Sequence, residues 1–396
     1  MKLSFCAIVK NEAESLPACL GSVVDAVDEI IVLDTGSTDD TVAVARSLGA
    51  RVHHFQWCDD FAAARNESLK YAGGEWILVL DADERLVPGA ISSLKQAIES
   101  EAHVSINLIR QEVGATQSPY SLVSRLFRNR PDIRFSRPYH AIVDDSIAAL
   151  LQREPCWQIG SLPEIAILHE GYHPDAIAQQ NKLARARAAM ERFLAEHPTD
   201  PYVCSKLGAL YVESGELGRG IELLQLGLKS AQNDASVLYE LHYHLGIACS
   251  RLQKPAHAED HYQQAMAQSI APLLKIGTYN NLGNLLKAKG DLVGAKAAYE
   301  TILELAPELT AARYNLGMTL RAMGDLESAI AAYRQTLQLD PNYADAHQNL
   351  GVALLKAGQL QDSLAAFRQA IALHEQHNPT EAKRLRHGLQ EMGFQV

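Results

Sequence analysis

Hydrophobic and polar positions run in two rhythms along this chain. In the first hundred residues, short apolar runs alternate with segments of helical spacing. Leu3–Val9, Glu29–Leu33, Arg51–Phe55 and Trp76–Leu80 are rich in β-branched, aromatic and leucine side chains, and the pattern predicts a strand at each. Between them, Glu12–Ala26, Asp40–Leu48, Phe61–Tyr71 and Pro88–Ser100 read as helices. Gly73-Gly74 stops the third, and Pro88 opens the fourth where a missing N–H costs little. Alternation at this spacing predicts a Rossmann-like α/β domain with a mostly parallel sheet and helices on both faces. Such sheets bind ligands at the carboxyl ends of their strands, so the polar residues that follow each strand are the first candidates for chemistry.

From about residue 175 the strand pattern stops and helix pairs with a fixed period take over. Gly283, Gly317 and Gly351 follow one another at 34 residues, in the frames Tyr279-Asn280-Asn281-Leu282-Gly283, Tyr314-Asn315-Leu316-Gly317 and Gln348-Asn349-Leu350-Gly351. Twelve residues after each glycine stands a small residue (Ala295, Ala329, Ser363), and four further on an aromatic (Tyr299, Tyr333, Phe367). Period and order resemble the tetratricopeptide (TPR) repeat, in which the small positions let two helices cross closely and the aromatic fills the gap between them. Two looser units precede these: Leu245-Gly246 with Ala258 and Tyr262, and Leu207-Gly208 with Gly220 and Leu224. Ile177–Glu196 reads as a half repeat, and Thr380–Met392 as a capping helix. The expected organisation is an α/β domain over 1–175, a connecting helix over 176–200, an all-α TPR solenoid of five repeats over 201–377, and a cap over 378–396.

Composition narrows the functions. A net charge of −11 argues against nucleic acid as a main partner and gives no attraction to an anionic membrane. Six scattered cysteines without a C-x-x-C pair exclude the common zinc spacings and do not resemble a disulfide framework. Reduced thiols in the cytoplasm are the expectation. The first apolar run is broken by Lys10-Asn11-Glu12, unlike a signal peptide, and no segment reads as a transmembrane span.

Four clusters follow the predicted strands. Val9-Lys10-Asn11-Glu12 reads either as a helix start capped by Asn11 or as a polar collar around a nucleotide. In Asp34-Thr35-Gly36-Ser37-Thr38-Asp39, Gly36 permits a tight turn and Ser37, Thr38 or Asp39 can cap the next helix. Asp34 is harder to explain as a cap, and is placed to accept hydrogen bonds from a base or ribose. Arg65, with Asn66, sits either on a solvated helix face or within reach of a phosphate or carboxylate. Asp81-Ala82-Asp83-Glu84 puts three acids into four residues, a repulsion that a bound divalent cation would relieve. Hard oxygen ligands suit magnesium or manganese.

Taken in order, Asn-Glu, Leu-Asp-Thr-Gly-Ser-Thr-Asp, Asp-Phe-x-x-x-Arg-Asn and Asp-Ala-Asp-Glu resemble family 2 of the inverting glycosyltransferases, which have the GT-A fold. The likeness covers residues 1–175 and is closer to the branch that includes lipopolysaccharide-core glucosyltransferases and bacteriocin S-glycosyltransferases. It implies that Val9, Asn11, Glu12, Asp34, Gly36, Arg65, Asp81 and Ala82 line a nucleotide-sugar site, with uridine as the base. It further implies that Asp83 ligates a divalent metal bridging the diphosphate, and that His169 is a third ligand or closes over the diphosphate. Ser124-Arg125-Leu126-Phe127-Arg128-Asn129 resembles the family's Arg-Leu-Phe-Arg stretch, and His169-Glu170-Gly171-Tyr172 its His-x-Gly-Tyr. Where the family carries Ile-His-Glu, this chain has Tyr139-His140-Ala141, so His140, Asp144 or Asp145 would serve as general base.

The expected function is a metal-dependent transferase of the hexosyltransferase type. It would move a sugar from a nucleotide diphosphate to a protein or peptide held by the TPR groove, where Asn281, Asn284, Asn315 and Asn349 recur and are able to bond a peptide backbone. The alternative is a catalytically degenerate domain whose TPR array works as an adaptor. A nucleotidyltransferase ranks below both, because no glycine-rich basic phosphate loop follows the first strand. A homodimer formed through the ends of the array is among the assemblies to be expected.

Overall fold

The computed structural model describes residues 1–115, 118–170, 180–231 and 234–394. The chain divides into two compact units, 1–115 with 119–232, and 116–118 with 233–396.

The first unit contains one sheet built of β1 (Leu3–Val9), β2 (Glu29–Asp34), β3 (Arg51–His54), β4 (Trp76–Val79), β5 (Glu84–Leu86), β6 (His103–Glu112), β7 (Tyr120–Arg128) and β8 (Gln158–His169). Their order across the sheet is β3-β2-β1-β4-β7-β6-β8-β5. The first four pair in parallel, as their alternation with helices predicts. β7 is antiparallel to both β4 and β6, β8 runs parallel to β6, and β5 closes the edge antiparallel to β8. The helices around it are α1 (Leu16–Val23), α2 (Thr41–Ser47), α3 (Phe61–Leu69), α4 (Ile91–Ala97) and α5 (Asp144–Arg153). Side chains of a strand alternate between faces. Leu3, Phe5, Ala7 and Leu78 accordingly pack on Leu16 and Leu20 of α1 and Leu94 of α4. Cys6, Ile31, Ile77 and Phe127 face the other way, with Leu69 of α3 and Ile147 and Leu150 of α5.

β1 lies between β2 and β4, so successive connections leave it in opposite directions. That reversal opens a crevice at the carboxyl ends of β1 and β4. β7 escapes the sequence pattern for a physical reason. Its pairing with β6 shifts register between Ile106 and Leu108, which sets Ser124 and Arg125 together opposite Asn107. Such a bulge breaks the period of two and re-aims a side chain.

Three helices complete the first unit: α6 (Gln180–Glu196), α7 (Pro201–Glu213) and α8 (Leu217–Ser230). Asp200 caps α7 by accepting the Val203 N–H at 2.8 Å. The start of the expected Ile177–Glu196 helix, and Gly171-Tyr172, lie outside the described residues.

The second unit is helical: α9 (Ala235–Arg251), α10 (Pro255–Met266), α11 (Ile276–Lys289), α12 (Leu292–Leu305), α13 (Thr310–Met323), α14 (Leu326–Leu339), α15 (Ala344–Lys356), α16 (Leu360–His377) and α17 (Pro379–Glu391). Tyr262, Tyr299, Tyr333 and Phe367 press on Gly246, Gly283, Gly317 and Gly351, with Ala258, Ala295, Ala329 and Ser363 buried beside them. The recurring asparagines also hold this unit together. Asn315 donates to Asn280 at 3.1 Å, Asn349 donates to the Tyr314 hydroxyl at 2.9 Å, and Asn284 accepts from Tyr299 at 2.8 Å. A Cβ on Gly317 would stand 2.7 Å from Cε1 of the fully buried Tyr333. Gly317→Ala, which in a solvated helix would stabilise, is therefore expected to destabilise this unit by about 1–3 kcal/mol. Urea denaturation followed by circular dichroism measures it, and an unchanged or raised midpoint would show that the tyrosine ring moves aside freely.

Among the described residues no helix is long and apolar enough to cross a membrane. The six cysteines are free thiols.

Candidate active site

The loops that leave β1 and β2 are stitched together. The Asn11 N–H donates to Ser37 Oγ at 3.0 Å, and Asn11 Oδ1 accepts the Thr38 N–H at 2.7 Å. The Glu12 N–H donates to Thr41 Oγ1 at 2.8 Å, and the Ala13 N–H to Asp39 at 3.3 Å. Asn11 is thus a loop clamp in the left-handed conformation (φ 56°), and Ser15, not Asn11, occupies the N-cap position of α1. Ser37 and Thr38 are likewise spent on the β1 loop, while Asp40 stands at the N-cap of α2. The Val9 carbonyl accepts the Thr35 N–H at 2.9 Å, which ties the two strand ends together. Asp34 is buried and accepts the Gly36 and Ser37 N–H groups at 3.2 and 3.0 Å, with His54 Nδ1 at 3.2 Å. Gly36, at φ 104°, makes that turn possible. Burial works to raise Asp34, but the bonds from Ser37, His54 and Gly36 outweigh it and hold the carboxyl below its ordinary value.

Across the crevice, the end of β4 carries a denser network. Arg65 lies buried in α3, its guanidinium over the Phe135 ring, and donates to Asp81 Oδ1 at 2.5 Å. A solvated helix face, one of the two sequence readings of Arg65, is ruled out by this burial. Arg125, re-aimed by the bulge, donates to Asp81 Oδ2 at 2.9 Å. Burial works against the Asp81 charge, and Arg65 with Arg125 outweighs it, holding the carboxyl well below the usual carboxylate range. Glu84 is fully buried, accepts the Asp81 N–H and Arg110 Nη1 at 2.8 Å each, and stands 4.0 Å from Arg125. Ala82 points into the core.

Asp83 faces the other way. Its Oδ2 lies 3.2 Å from Nε2 of His169, whose Nδ1 is 2.5 Å from Glu112 Oε2. Burial disfavours the imidazolium, but Asp83 and Glu112 outweigh it and raise His169 to about 10. Arg110 pairs with Glu112 as well, at 2.8 Å. The three neighbouring acids are therefore answered by the protein itself, through Arg65, Arg110, Arg125 and His169. This corrects the sequence argument that their mutual repulsion calls for a bound cation. Sequence reasoning had no signal for Glu84 and Arg110 as partners; Arg125 stood in a quoted motif without a role.

His140 lies in a further loop, and Asp144 opens α5 just after it. Ser136 and Ile142 exchange both backbone hydrogen bonds and close the loop. Tyr139 packs against Met190 and Val203 of α6 and α7 and meets Phe61 edge-on at 5.6 Å. Arg137, buried at φ 72°, donates to Asp145 at 2.5 Å and to Asp200 at 2.8 Å. Asp145 is thereby committed to a structural ion pair. His140 is exposed, with its ring edge-on to Tyr139, and Asp144 accepts from Ser124 Oγ at 2.8 Å in the first turn of α5.

A Rossmann-like half sheet followed by helix pairs of period 34 is the arrangement of a glycosyltransferase domain followed by a TPR array. Comparison with known proteins agrees. Residues 4–160 match the domain family described as glycosyl transferase family 2. Residues 178–245, 276–309, 317–358 and 344–377 match tetratricopeptide repeat families. A TPR repeat-containing protein of Synechococcus elongatus is 47% identical over 306 residues, which is 77% of this chain and 76% of that protein. SunS, an SPbeta prophage-derived glycosyltransferase of Bacillus subtilis, is 31% identical over 206 residues, 49% of this chain and 45% of that protein. An uncharacterized glycosyltransferase of Rickettsia bellii is 28% identical over 179 residues, 43% of this chain and 60% of that protein. The chain spans less than two thirds of these two relatives. The chain carries an N-terminal glycosyl transferase family 2 domain, followed by tetratricopeptide repeats.

Proposed function

We propose that this protein transfers a sugar from a nucleotide diphosphate, with uridine as the base, to a protein or peptide acceptor engaged by the repeats, with inversion at the anomeric carbon. The observation that carries the reading is the meeting of Asp83 and His169 at 3.2 Å beside the switch-point crevice. The Asp83 carboxylate is the hard oxygen donor that manganese or magnesium takes, and an imidazole beside it tips the choice toward manganese. Glu112 holds the other ring nitrogen of His169, so an already oriented ring would exchange its Nε2 proton for a cation arriving at Asp83. Among the described residues no group of three or more ligand side chains converges, so the diphosphate and water would fill the remaining positions. When bound, the cation supplies charge stabilisation to the departing diphosphate.

The chain's own groups divide the remaining work. Asn11 and the Gly36 turn shape the floor under the nucleotide, and Asp34 stands ionised there for the base or ribose. Asp81, still 35% exposed, is held in one orientation by Arg65 and Arg125 and offers its open edge to the ribose. Asp144 takes the proton of the acceptor as the acceptor attacks the anomeric carbon. Its bond to Ser124, the strand neighbour of Arg125, favours it over His140.

Thermal unfolding against UDP, GDP and CDP, with and without manganese, tests the reading. UDP with manganese at a hundred times its dissociation constant is expected to stabilise the first unit by about 2.7 kcal/mol. No shift with any nucleoside diphosphate would overturn the transferase reading and leave the array as the working part.

A further inference from the structure

Close packing within the repeats asks for a small residue just before the aromatic that presses on the glycine. Ala298, Ala332 and Ala366 occupy that position, 7%, 6% and 7% exposed. In α10 the residue before Tyr262 is His261. An imidazole there adds volume and two polar nitrogens where its counterparts carry one methyl group, a change that close packing disfavours. His261 is not alone. His242, four residues before Gly246 on α9, brings its Nδ1 to 3.1 Å from Nδ1 of His261, with ring centroids 5.4 Å apart and planes tilted by 39°.

We propose that His242 and His261 bind a divalent transition metal of the zinc and nickel class, clamping α9 to α10 within one repeat. Two nitrogens that each lie about 2.0–2.1 Å from one ion are separated by roughly 2.9–3.4 Å for ligand angles between square and tetrahedral. The 3.1 Å between the two Nδ1 atoms falls within that span. Imidazole is the donor that zinc, nickel and copper prefer over the oxygen ligands favoured by magnesium. Without the ion, a proton shared between the two rings occupies the same gap. His242 and His261 supply one ligand each from facing helices. Two protein ligands and solvent would make up the shell, because among the described residues no third ligand side chain converges on the pair. The site uses none of the residues assigned to sugar transfer and stands or falls independently of that reading.

The test uses the full chain, free of any polyhistidine tag and stripped with chelator, titrated with cobalt(II) by absorption spectroscopy and with zinc(II) by calorimetry. An Asp83→Ala, His169→Ala background removes the metal ligands proposed for the transferase site. One equivalent of metal is expected to bind in that background, and to be lost on adding His242→Ala or His261→Ala. His261→Ala installs the residue the other repeats carry, so circular dichroism should show an intact helical fold. Absence of saturable binding, or one equivalent that survives both His242→Ala and His261→Ala, would overturn the site.

Discussion

Glu84→Ala is expected to destabilise the first unit by about 3–5 kcal/mol, the cost of removing one partner from a buried ion pair. Glu84 is fully buried and takes Arg110 at 2.8 Å, with Arg125 at 4.0 Å and the Asp81 N–H at 2.8 Å. Its loss leaves two guanidiniums in a low-dielectric site with one counter-charge fewer. Trp57, Trp76 and Trp157 all lie in the first unit, so tryptophan fluorescence during urea denaturation follows this unit alone. Leucine at the same position would leave the same arginines one counter-charge short and is expected to cost as much. A fall in stability under about 1 kcal/mol, the scale of an exposed pair, would mean that water already reaches Glu84 and that the network is not what holds Asp81 in place.

Asp83→Ala should behave in the opposite way, costing little stability and much activity. Asp83 is partly exposed and pairs with His169 at 3.2 Å. If it holds the cation that balances the leaving diphosphate, its removal takes away several kcal/mol of transition-state stabilisation. At about 1.4 kcal/mol per tenfold, turnover should fall by about 10²–10³. The measurement is release of nucleoside diphosphate from whichever sugar donor the thermal screen selects, at saturating manganese. Asp83→Ala should also abolish the manganese-dependent thermal shift. Turnover within a few fold of the parent chain would remove Asp83 from the reaction and reopen the adaptor reading.

The two variants separate what was legible in the residue pattern from what was hidden. Asp34, Asp81 and Asp83 were legible because each follows an apolar run read as a strand, and carboxyl ends of parallel strands are where such sheets bind ligands. Arg65 was legible as a residue and not as a contact: the helix was correct, but its face depends on what packs against it. Arg125 and Arg110 were hidden because β6 and β7 pair antiparallel through a bulge, and bulged strands with polar interiors lose the period-two signal. Glu84 stood in the Asp-Ala-Asp-Glu run and was grouped with its neighbours. The sheet sends it inward to Arg110 while Asp83 goes to His169. His140, Asp144 and Asp145 stand where the family glutamate is missing; the loop of His140 is set by Arg137, whose partners Asp145 and Asp200 lie 8 and 63 residues away, while Asp144 opens α5.

By itself, the sequence determined the alternation of strands and helices in the first hundred residues and the glycine–alanine–aromatic period of the repeats. It also determined which acids follow the strands. These are local properties: hydrophobic spacing, turn residues and a repeat whose units bury their faces against one another. Tertiary structure alone decided which charges meet. Arg65 and Arg125 reach Asp81 across 16 and 44 residues of chain, His169 reaches Asp83 across 86, and His261 finds His242 on the facing helix. Pairing between distant residues is set by sheet order, register and helix crossing, which put groups far apart in the chain within hydrogen-bonding distance. The energy of a buried charge depends on those neighbours far more than on the residues beside it in sequence.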